Sequence, residues 1–472
     1  MSDGNSENSS RPPGLSHLRP TVFALACTAV VAVLLLFLTV DPWLQKAGIL
    51  VGGLDVHIYR DGAWKILHGH PLYTEETYFG LLYTYTPFST LAFIPIALFP
   101  WGWVTNTWLV LNLGVLFVGV LMSWRLLGYR IDRRLTIVSA LMSLTCVFIE
   151  PVRTTLFYGQ INLILMVLVL WDFSRGERSR LRGIGAGLAA GVKLVPLYFV
   201  VQFLAMRQWR SAWTAAGTFL GTILVSGLLL PGESKQYWTS TFFQSNRIGE
   251  DAHPSNQSIR GAIAHLMGQH SAPMWLWILI AGAVTVISLV VTTGLYRHGE
   301  KLLAVTLAGM NACAISPFAW GHHWVWFVPL LVYIAHLAQS RPAWWLAAGA
   351  LVVSIGAWAY EWNPTWVSIG VFLLPPYWPM GQLLMNAYVS IYAIVLASAS
   401  GLLWRLWRKS GGRTGGELTP DAEPVSAASV VGAAPDVAEA PEATRNGAEK
   451  SGVTEKSGVT EKSDVTEKSD VV

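Results

Sequence analysis

Apolar runs long enough to form membrane helices alternate with polar loops from residue 21 to residue 404. The first run, 21–40, matches the roughly 20 residues that a helix needs to cross the hydrocarbon core of a bilayer. Further runs occupy 103–124, 135–149, 157–173, 183–205, 212–230, 273–296, 302–315, 324–338, 343–360 and 383–404. This pattern predicts an all-α polytopic membrane protein with about twelve transmembrane helices.

Basic residues concentrate on one side of the predicted bundle, with four arginines in each of the loops 125–134 and 175–182. Because cytoplasmic loops are enriched in lysine and arginine, these loops and both termini are predicted to be cytoplasmic. The chain then divides into a cytoplasmic N-terminus (1–20), a transmembrane domain (21–409) and a cytoplasmic tail (410–472). Three long outer loops are expected within the transmembrane domain, at 41–102, 231–273 and 361–381.

Two apolar segments are not expected to cross the membrane in a single span. A crossing at 87–100 would put the basic loop 125–134 outside, so this segment is predicted to be an interfacial helix in the first outer loop. The run 183–205 has basic residues at both ends, which predicts a hairpin of two short helices with Lys193 near its tip. A lysine at that depth needs an anion or water, or must snorkel to an interface.

The composition supports the membrane class and limits the partners. The chain is 53% hydrophobic and 13% charged, whereas a soluble chain carries about 25% charged residues. Its net charge of +4 is small and spread over loops, so the lipid bilayer and not nucleic acid is the expected partner. After residue 410 the sequence is rich in Gly, Ala, Pro, Glu and Ser, which predicts a disordered tail without chemistry.

Most of the histidines lie on the predicted outer side, so we expect the chemistry there. The first outer loop contains Asp55, His57, Tyr59 and Asp61 at alternate positions, and a helix would bring Asp55 and Tyr59 to one face. An ionisable group at this place in a membrane protein is a candidate functional residue. The alternative is that Asp55 caps the N-terminus of the helix that follows.

A second outer cluster lies at 150–162. Arg153 is predicted just outside a helix end, where it could hold an anionic group or snorkel to the interface. Gln160 and Asn162 are expected about one turn inside a membrane helix. Their amides could face a site or bond neighbouring helices.

Two more outer clusters follow in the second half of the chain. Asn256, Gln257 and Arg260 lie in the second outer loop, where polarity is also expected of any loop. Later, Trp320, His322, His323 and Trp324 form one stretch, which could face a polar pocket or anchor the chain at the interface. Adjacent histidines point to different sides of a helix, and the sequence has no His-x-x-x-His pair with an acid, so no metal site is predicted.

An acid, several cations and many aromatic residues at an outer membrane face suit the transfer of a sugar from a lipid phosphate. Nucleotide sugars are not available outside the cell, so a lipid-linked donor is expected. The acceptor hydroxyl needs a general base, and the departing phosphate gains charge that a cation can stabilise. Aromatic residues would provide a stacking wall for the sugar rings.

Seven short motifs occur in order, and they are Leu54-Asp55-Val56-His57-Ile58-Tyr59, Tyr85-Thr86-Pro87-Phe88, Ile149-Glu150-Pro151-Val152-Arg153, Tyr158-Gly159-Gln160-Ile161-Asn162, Gly191-Val192-Lys193-Leu194-Val195-Pro196, Asn256-Gln257-Ser258-Ile259-Arg260-Gly261-Ala262 and Ser316-Pro317-Phe318-Ala319-Trp320-Gly321-His322-His323-Trp324-Val325-Trp326. Together they resemble the actinobacterial polyprenyl-phosphate-mannose-dependent α-mannosyltransferases of glycosyltransferase family 87, in particular those of phosphatidylinositol mannoside synthesis. The resemblance extends from about residue 50 to about residue 330. The family often has Tyr-Pro-Pro at 85–87 and Ser-Trp-x-His-His before 324, and neither difference removes an ionisable group.

The resemblance implies a GT-C glycosyltransferase fold and an inverting transfer of mannose at the periplasmic face of the plasma membrane. The implied donor is polyprenyl-phosphate-mannose, the acceptor is a phosphatidylinositol mannoside, the new linkage is α-(1,2), and no cofactor is needed. Asp55 is the implied general base. The donor phosphate is expected to contact His322, His323, Arg153, Lys193 and Arg260. The sugar and the acceptor are expected to contact His57, Tyr59, Asp61, Gln160, Asn162, Asn256, Gln257, Trp320 and Trp324.

Other functions are compatible with parts of this pattern. A lipid or sugar transporter would also have many helices, although it would more often show paired repeats, which this sequence lacks. A scaffold protein would not depend on Asp55. Within the same family, a lipomannan-branching α-(1,2)-mannosyltransferase and an arabinofuranosyltransferase are the alternatives.

Overall fold

The computed structural model describes residues 18–38, 52–244, 247–358, 370–373 and 380–411, and within these ranges the regular structure is α-helical with short 3₁₀ turns. One isolated β-bridge joins Ile149 and Gly356. The helices are α1 (Leu18–Leu38), α2 (Leu54–His68), α3 (Pro87–Ala97), α4 (Trp101–Leu126), α5 (Arg133–Cys146), α6 (Glu150–Tyr158), α7 (Asn162–Phe173), α8 (Ile184–Val192), α9 (Tyr198–Ala205), α10 (Trp209–Leu229), α11 (Pro231–Thr239), α12 (Ile259–Met267), α13 (Met274–Arg297), α14 (Lys301–Ile315), α15 (Phe327–Ser340), α16 (Trp344–Ser354), α17 (Gly381–Met385) and α18 (Ala387–Gly411).

Several of these helices have the length and composition of membrane spans. In the described part of the chain, α4, α10, α13 and the segment Ala387–Lys409 of α18 are long and apolar enough to cross a bilayer. The pair α6 and α7 passes the same test together, although the two helices are bent by 117° relative to each other. The prediction of an all-α multi-pass membrane protein is therefore confirmed, whereas the expected total of about twelve crossings is not established.

The run 157–173 was expected to be one helix, and this expectation is wrong. Helix α6 ends at Tyr158 and α7 begins at Asn162, so that Gln160 lies in the break and not inside a membrane helix. Gly159 has a φ of 71°, and a Cβ atom there would lie 2.8 Å from the side chain of Val56. Glycine is required at this position because it tolerates both the left-handed backbone and the close approach of α2.

The other interruptions agree with the sequence pattern. The run 183–205 is divided into α8 and α9, and Lys193 follows the last residue of α8. The segment predicted to be an interfacial helix at 87–100 forms α3, which begins with Pro87 at the position where a proline costs no hydrogen bond. Helix α2 packs against α3, and the buried residues of the two helices form a hydrophobic cluster with residues of α4, α7, α8 and α11.

Some predicted segments lie outside the described residues. They are residues 1–17 of the N-terminus, 41–51 of the first outer loop, most of the third outer loop at 361–381, and 412–472 of the tail.

Candidate active site

Two adjoining cavities open between the loops that follow α2, α6, α11 and α14, and each encloses about 500 Å³. We call them the glutamate lobe, which contains Glu150, and the lysine lobe, which contains Lys193. A cavity of this size is typical of small-ligand sites. The two lobes share a wall that consists of Asp55, Thr84, Tyr85, Gln160, Arg247, Ile248, Trp320 and His322.

Asp55 lies at the start of α2, on the wall common to the two lobes. The N-cap of this helix is Gly53, with a φ of 67°, so Asp55 is not the capping residue. The backbone amides of Gly52 and Gly53 donate to the carbonyl oxygen of Phe157 at 2.9 and 2.7 Å, which fixes the start of α2 against the end of α6. The first turn of α2 therefore holds the Asp55 carboxylate at the cavity.

The environment of Asp55 favours a base that works near neutral pH. Burial raises the pKa of Asp55 to about 6, and a hydrogen bond from Gln160 and the charge of Lys193 act against this rise. A general base is most effective when its pKa lies near the working pH. The carboxylate is therefore ionised at neutral pH and still basic enough to accept a proton.

Gln160 connects Asp55 to two buried tyrosines. The hydroxyl groups of Tyr59 and Tyr85 donate to Oε1 of Gln160 at 3.0 and 3.1 Å. Since Oε1 accepts from the tyrosines, the amide N–H of Gln160 is the group that donates to Asp55. The break between α6 and α7 thus presents a side chain that orients the carboxylate.

Lys193 provides a positive charge in the lysine lobe. Its Nζ lies 2.8 Å from Nε2 of His323, 3.1 Å from Oδ1 of Asn162 and 3.5 Å from the hydroxyl of Tyr85. A lysine ammonium group only donates, so Nε2 of His323 accepts and this imidazole is neutral. His323 therefore orients Lys193 and does not add a second charge.

The turn that carries the two histidines is held by side-chain amides from two other segments. His322 and His323 lie in a 3₁₀ turn, Gly321–His323, and their rings are nearly perpendicular with centroids 4.9 Å apart. Asn162 donates to the carbonyl oxygen of His322 at 3.0 Å, and Asn256 accepts from the amide of Ala319 at 3.1 Å. These contacts present the side chain of His322 to both lobes.

The predicted sugar contacts Trp320, Trp324 and Gln257 lie at or beside the same turn. The indole of Trp324 donates to the carbonyl oxygen of Gln257 at 3.1 Å, and the Gln257 side chain accepts from the amide of Tyr388 on α18 at 3.1 Å. Trp320 lines both lobes, and its ring is parallel to that of His322 at 6.2 Å. Of the sequence-predicted sugar contacts, Trp320 and Gln160 therefore line the cavities, whereas Asn256, Gln257 and Trp324 support them.

The structure does not bring His57 and Asp61 to the cavities. The His57 ring stacks between Tyr78 and Trp101, with centroids 3.8 and 4.1 Å away. Asp61 lies 3.7 Å from His57 and accepts from the amide of Tyr78 at 2.9 Å. Both residues therefore join α2 to the segment that follows it.

Arg153 and Arg260 also do not line the two lobes. Arg153 is buried and donates to the carbonyl oxygen of Ala357 at 3.3 Å. Arg260 forms an ion pair with Asp251 at 2.8 Å, and its guanidinium lies over the Trp277 ring. Among the predicted phosphate contacts, the cavities are thus lined by Lys193, His322 and His323.

Three residues of the site were not among the predicted contacts. Tyr85 and Glu150 lie within the motifs described above, and the burial of a carboxyl group in a membrane protein is itself a functional signal. Glu150 accepts from the hydroxyl groups of Thr154 at 2.8 Å and Tyr388 at 2.7 Å. Arg247 belongs to no motif, and its sequence neighbours give no sign that it reaches the cavity.

These features define a multi-pass membrane protein with a half-buried aspartate and a lysine on the wall of one cavity. The family profile of glycosyltransferase family 87 matches residues 83–317, which begin after Asp55. Together with the similarity to curated relatives given next, this match establishes that the chain belongs to glycosyltransferase family 87.

Two mycobacterial proteins are similar over most of the chain. One, from Mycobacterium tuberculosis (strain CDC 1551 / Oshkosh), is 33% identical over 387 residues, which cover 78% of this chain and 85% of the relative. The other, from Mycolicibacterium smegmatis, is 30% identical over 366 residues, which cover 76% and 86%. Both are named polyprenol-phosphate-mannose-dependent alpha-(1-2)-phosphatidylinositol pentamannoside mannosyltransferase.

A further relative from Mycolicibacterium smegmatis is 29% identical over 339 residues, which cover 65% of this chain and 75% of the relative. Its name differs in the acceptor, since it is a polyprenol-phosphate-mannose-dependent alpha-(1-2)-phosphatidylinositol mannoside mannosyltransferase. No solved structure gave a significant match to the chain.

Proposed function

We propose that this protein transfers mannose from polyprenyl-phosphate-mannose to a phosphatidylinositol mannoside and forms an α-(1,2) linkage with inversion at the anomeric carbon. The observation that carries the proposal is the position of Asp55, on the wall between two lobes and within reach of the charge of Lys193. The names of the two mycobacterial relatives support the donor and acceptor classes.

The proposed reaction is a single displacement. The oxygen of an acceptor hydroxyl attacks the anomeric carbon of the mannose, and Asp55 takes the hydroxyl proton. The bond between the anomeric carbon and the phosphate oxygen breaks, and its electron pair leaves with the lipid phosphate. Lys193, supported by the neutral His323, stabilises the negative charge that the phosphate gains.

Glu150 is the other carboxyl group in the cavity wall and is the rival candidate for the base. Its two oxygens already accept hydrogen bonds from Thr154 and Tyr388. A Cβ atom on Gly321 would overlap the Glu150 carboxylate, so this carboxylate lies directly against the histidine turn. These contacts favour a role for Glu150 in holding the turn and leave Asp55 as the proposed base.

Transfer should depend on pH with an acidic limb near pH 6. Asp55 must be ionised to accept a proton, and burial raises its pKa to about 6, so the rate should fall as the pH drops below that value. The loss should approach about tenfold for each further pH unit. The measurement is kcat/KM between about pH 4.5 and pH 8. A profile that stays level down to pH 4.5 would contradict an Asp55 base with this pKa.

The donor class can be tested in membranes from cells that express the protein. We expect incorporation of mannose into the acceptor from polyprenyl-phosphate-mannose and not from a nucleotide-linked mannose. Phosphatidylinositol mannosides of different mannose number should be offered in parallel, since the relatives differ in this part of their names. Transfer to lipomannan alone, or transfer of arabinose, would identify a different acceptor or sugar within the same family.

We also propose that the cavities face the periplasm and that the C-terminal tail is cytoplasmic, because the short loops 125–134 and 175–182 carry the arginines. Cysteines introduced at Glu75 and at Ser451 test this topology, and Cys27→Ser should first remove the exposed native thiol. An impermeant thiol reagent added to intact cells should label position 75 only. Labelling at position 451, with or without position 75, would refute the topology.

A further inference from the structure

Arg247 joins the two segments that cover the cavities. Its Nη2 donates to the carbonyl oxygen of Tyr73 at 2.6 Å, in the segment between α2 and α3. Its Nη1 donates to Oε1 of Gln244 at 3.1 Å, in the segment between α11 and α12. The guanidinium is therefore held in place from two sides.

One nitrogen of this guanidinium has no acceptor in the described part of the chain. The Nε atom of Arg247 is buried and has no hydrogen-bond partner among the described residues. A buried N–H without an acceptor costs free energy, and such groups commonly mark the place of a ligand or water. Arg247 lines both lobes, so an anion in either one is within its reach.

The charges of the proposed reaction require more than one cation. The donor is a phosphodiester with one negative charge, and the lipid phosphate that leaves is a monoester whose charge approaches two near neutral pH. Lys193 can balance the first charge. In the part of the chain that the structure describes, Arg247 is the other lysine or arginine that lines the two lobes.

We propose that Arg247 is a second phosphate-binding residue, which contacts the phosphate at the junction of the two lobes and stabilises the charge that it gains as mannose departs. This inference rests on the proposed function for the identity of the phosphate. The acceptor lipid also contains a phosphodiester, which offers the same chemistry. Arg247 binds the leaving phosphate, because this group lies across the anomeric carbon from the attacking hydroxyl, within the cavities that Arg247 lines.

Binding of the product lipid tests the site without any transfer. A short-chain polyprenyl phosphate titrated into the purified protein in detergent should bind Arg247→Gln about 10- to 100-fold more weakly than wild type, because a charge-assisted hydrogen bond is lost. Arg247→Lys keeps the charge and should recover part of the affinity. Arg134→Gln removes an exposed arginine at the start of α5 and serves as the matched control. This readout is independent of whether the protein transfers mannose.

Steady-state kinetics then separate the two possible phosphates. Arg247→Gln should lower kcat/KM for the donor by about 10²- to 10³-fold, and the KM for the acceptor should change little. A change confined to the acceptor KM would move the contact to the acceptor's phosphodiester and overturn the leaving-group role. Unchanged binding of polyprenyl phosphate in Arg247→Gln would overturn the site altogether.

A purely structural role of Arg247 predicts a different result. If it only joins the two segments, Lys and Gln variants should lose affinity equally, and both should unfold at a lower temperature than wild type. The proposal instead requires that the Lys variant binds polyprenyl phosphate more tightly than the Gln variant, whatever their unfolding temperatures. Equal losses of affinity in the two variants would overturn it.

Discussion

Replacement of Asp55 by asparagine should abolish mannosyl transfer and leave the protein folded and able to bind its lipid donor. Asparagine keeps the size of the side chain and can still bond to Gln160, but it cannot take a proton from the acceptor hydroxyl. A positioned general base contributes about 10²- to 10⁴-fold to rate, so kcat should fall by that factor. The measurement is transfer by the purified variant, together with direct binding of polyprenyl-phosphate-mannose.

Two variants provide the controls for Asp55. Asp61 lies on the same helix and contacts Tyr78 and His57 outside the cavity wall, so Asp61→Asn should retain most of the activity. Glu150→Gln tests the rival carboxyl group and should retain more activity than Asp55→Asn. If Asp55 acted only in capping α2, Asn would replace it without loss, because Asn caps a helix about as well as Asp. Near-wild-type transfer by Asp55→Asn would therefore refute the catalytic role.

Removal of the charge at Lys193 should have the second largest effect. Lys193→Gln should reduce kcat/KM for the donor by about 10²- to 10³-fold, since the leaving phosphate loses a nearby cation. The same change should move the acidic limb of the pH profile to higher pH, because the charge of Lys193 lowers the pKa of Asp55 in the native protein. The measurement is the full pH profile of the variant beside that of wild type.

Lys235→Gln is the matched control for Lys193, because Lys235 is an exposed lysine of α11 that lies outside the cavity wall. It should leave both the rate and the pH limb unchanged. If the Lys193→Gln protein is folded and loses rate without any shift of the acidic limb, then the charge of Lys193 does not affect the pKa of Asp55. Full activity in this variant would exclude Lys193 from the site.

The sequence pattern predicted the all-α, multi-pass character of the chain, and several residues that it singled out line the cavities. Long apolar runs are sufficient to identify membrane helices, and a lysine and an acid in such a chain are conspicuous. The spacing of Asp55 and His57 also predicts that the two side chains lie on different faces of a helix. Residues two apart on a helix lie about 200° apart around its axis, so Asp55 and Tyr59 share one face, and His57 and Asp61 share the opposite face.

The arginines show what the sequence could not provide. Arg260 resembled an anion-binding residue because its partner, Asp251, is nine residues away and meets it only when the segment between α11 and α13 folds. Arg153 is one turn from Glu150, and its guanidinium donates to the carbonyl oxygen of Ala357, about two hundred residues away along the chain. Arg247 has no motif around it, and only the folded chain brings it to both lobes.

The bend at Gly159 also depends on tertiary contacts. An apolar run with one glycine is compatible with an unbroken membrane helix, and glycine is common in such helices. What requires the break is the approach of Val56 from α2 to within 2.8 Å of the position that a Cβ on Gly159 would occupy. This contact belongs to a helix about one hundred residues earlier in the chain, and it brings Gln160 to Asp55.

The central claim is that a single base promotes one inverting displacement from a lipid phosphate. The structure of the product tests this claim most directly. Purified protein should be supplied with β-linked polyprenyl-phosphate-mannose and a phosphatidylinositol mannoside, and the new glycosidic bond should be determined by NMR. We predict one added mannose in an α-(1,2) linkage. A β-linked product would show retention and require a covalent intermediate or a second displacement, and the absence of any transferred mannose would contradict the proposed activity itself.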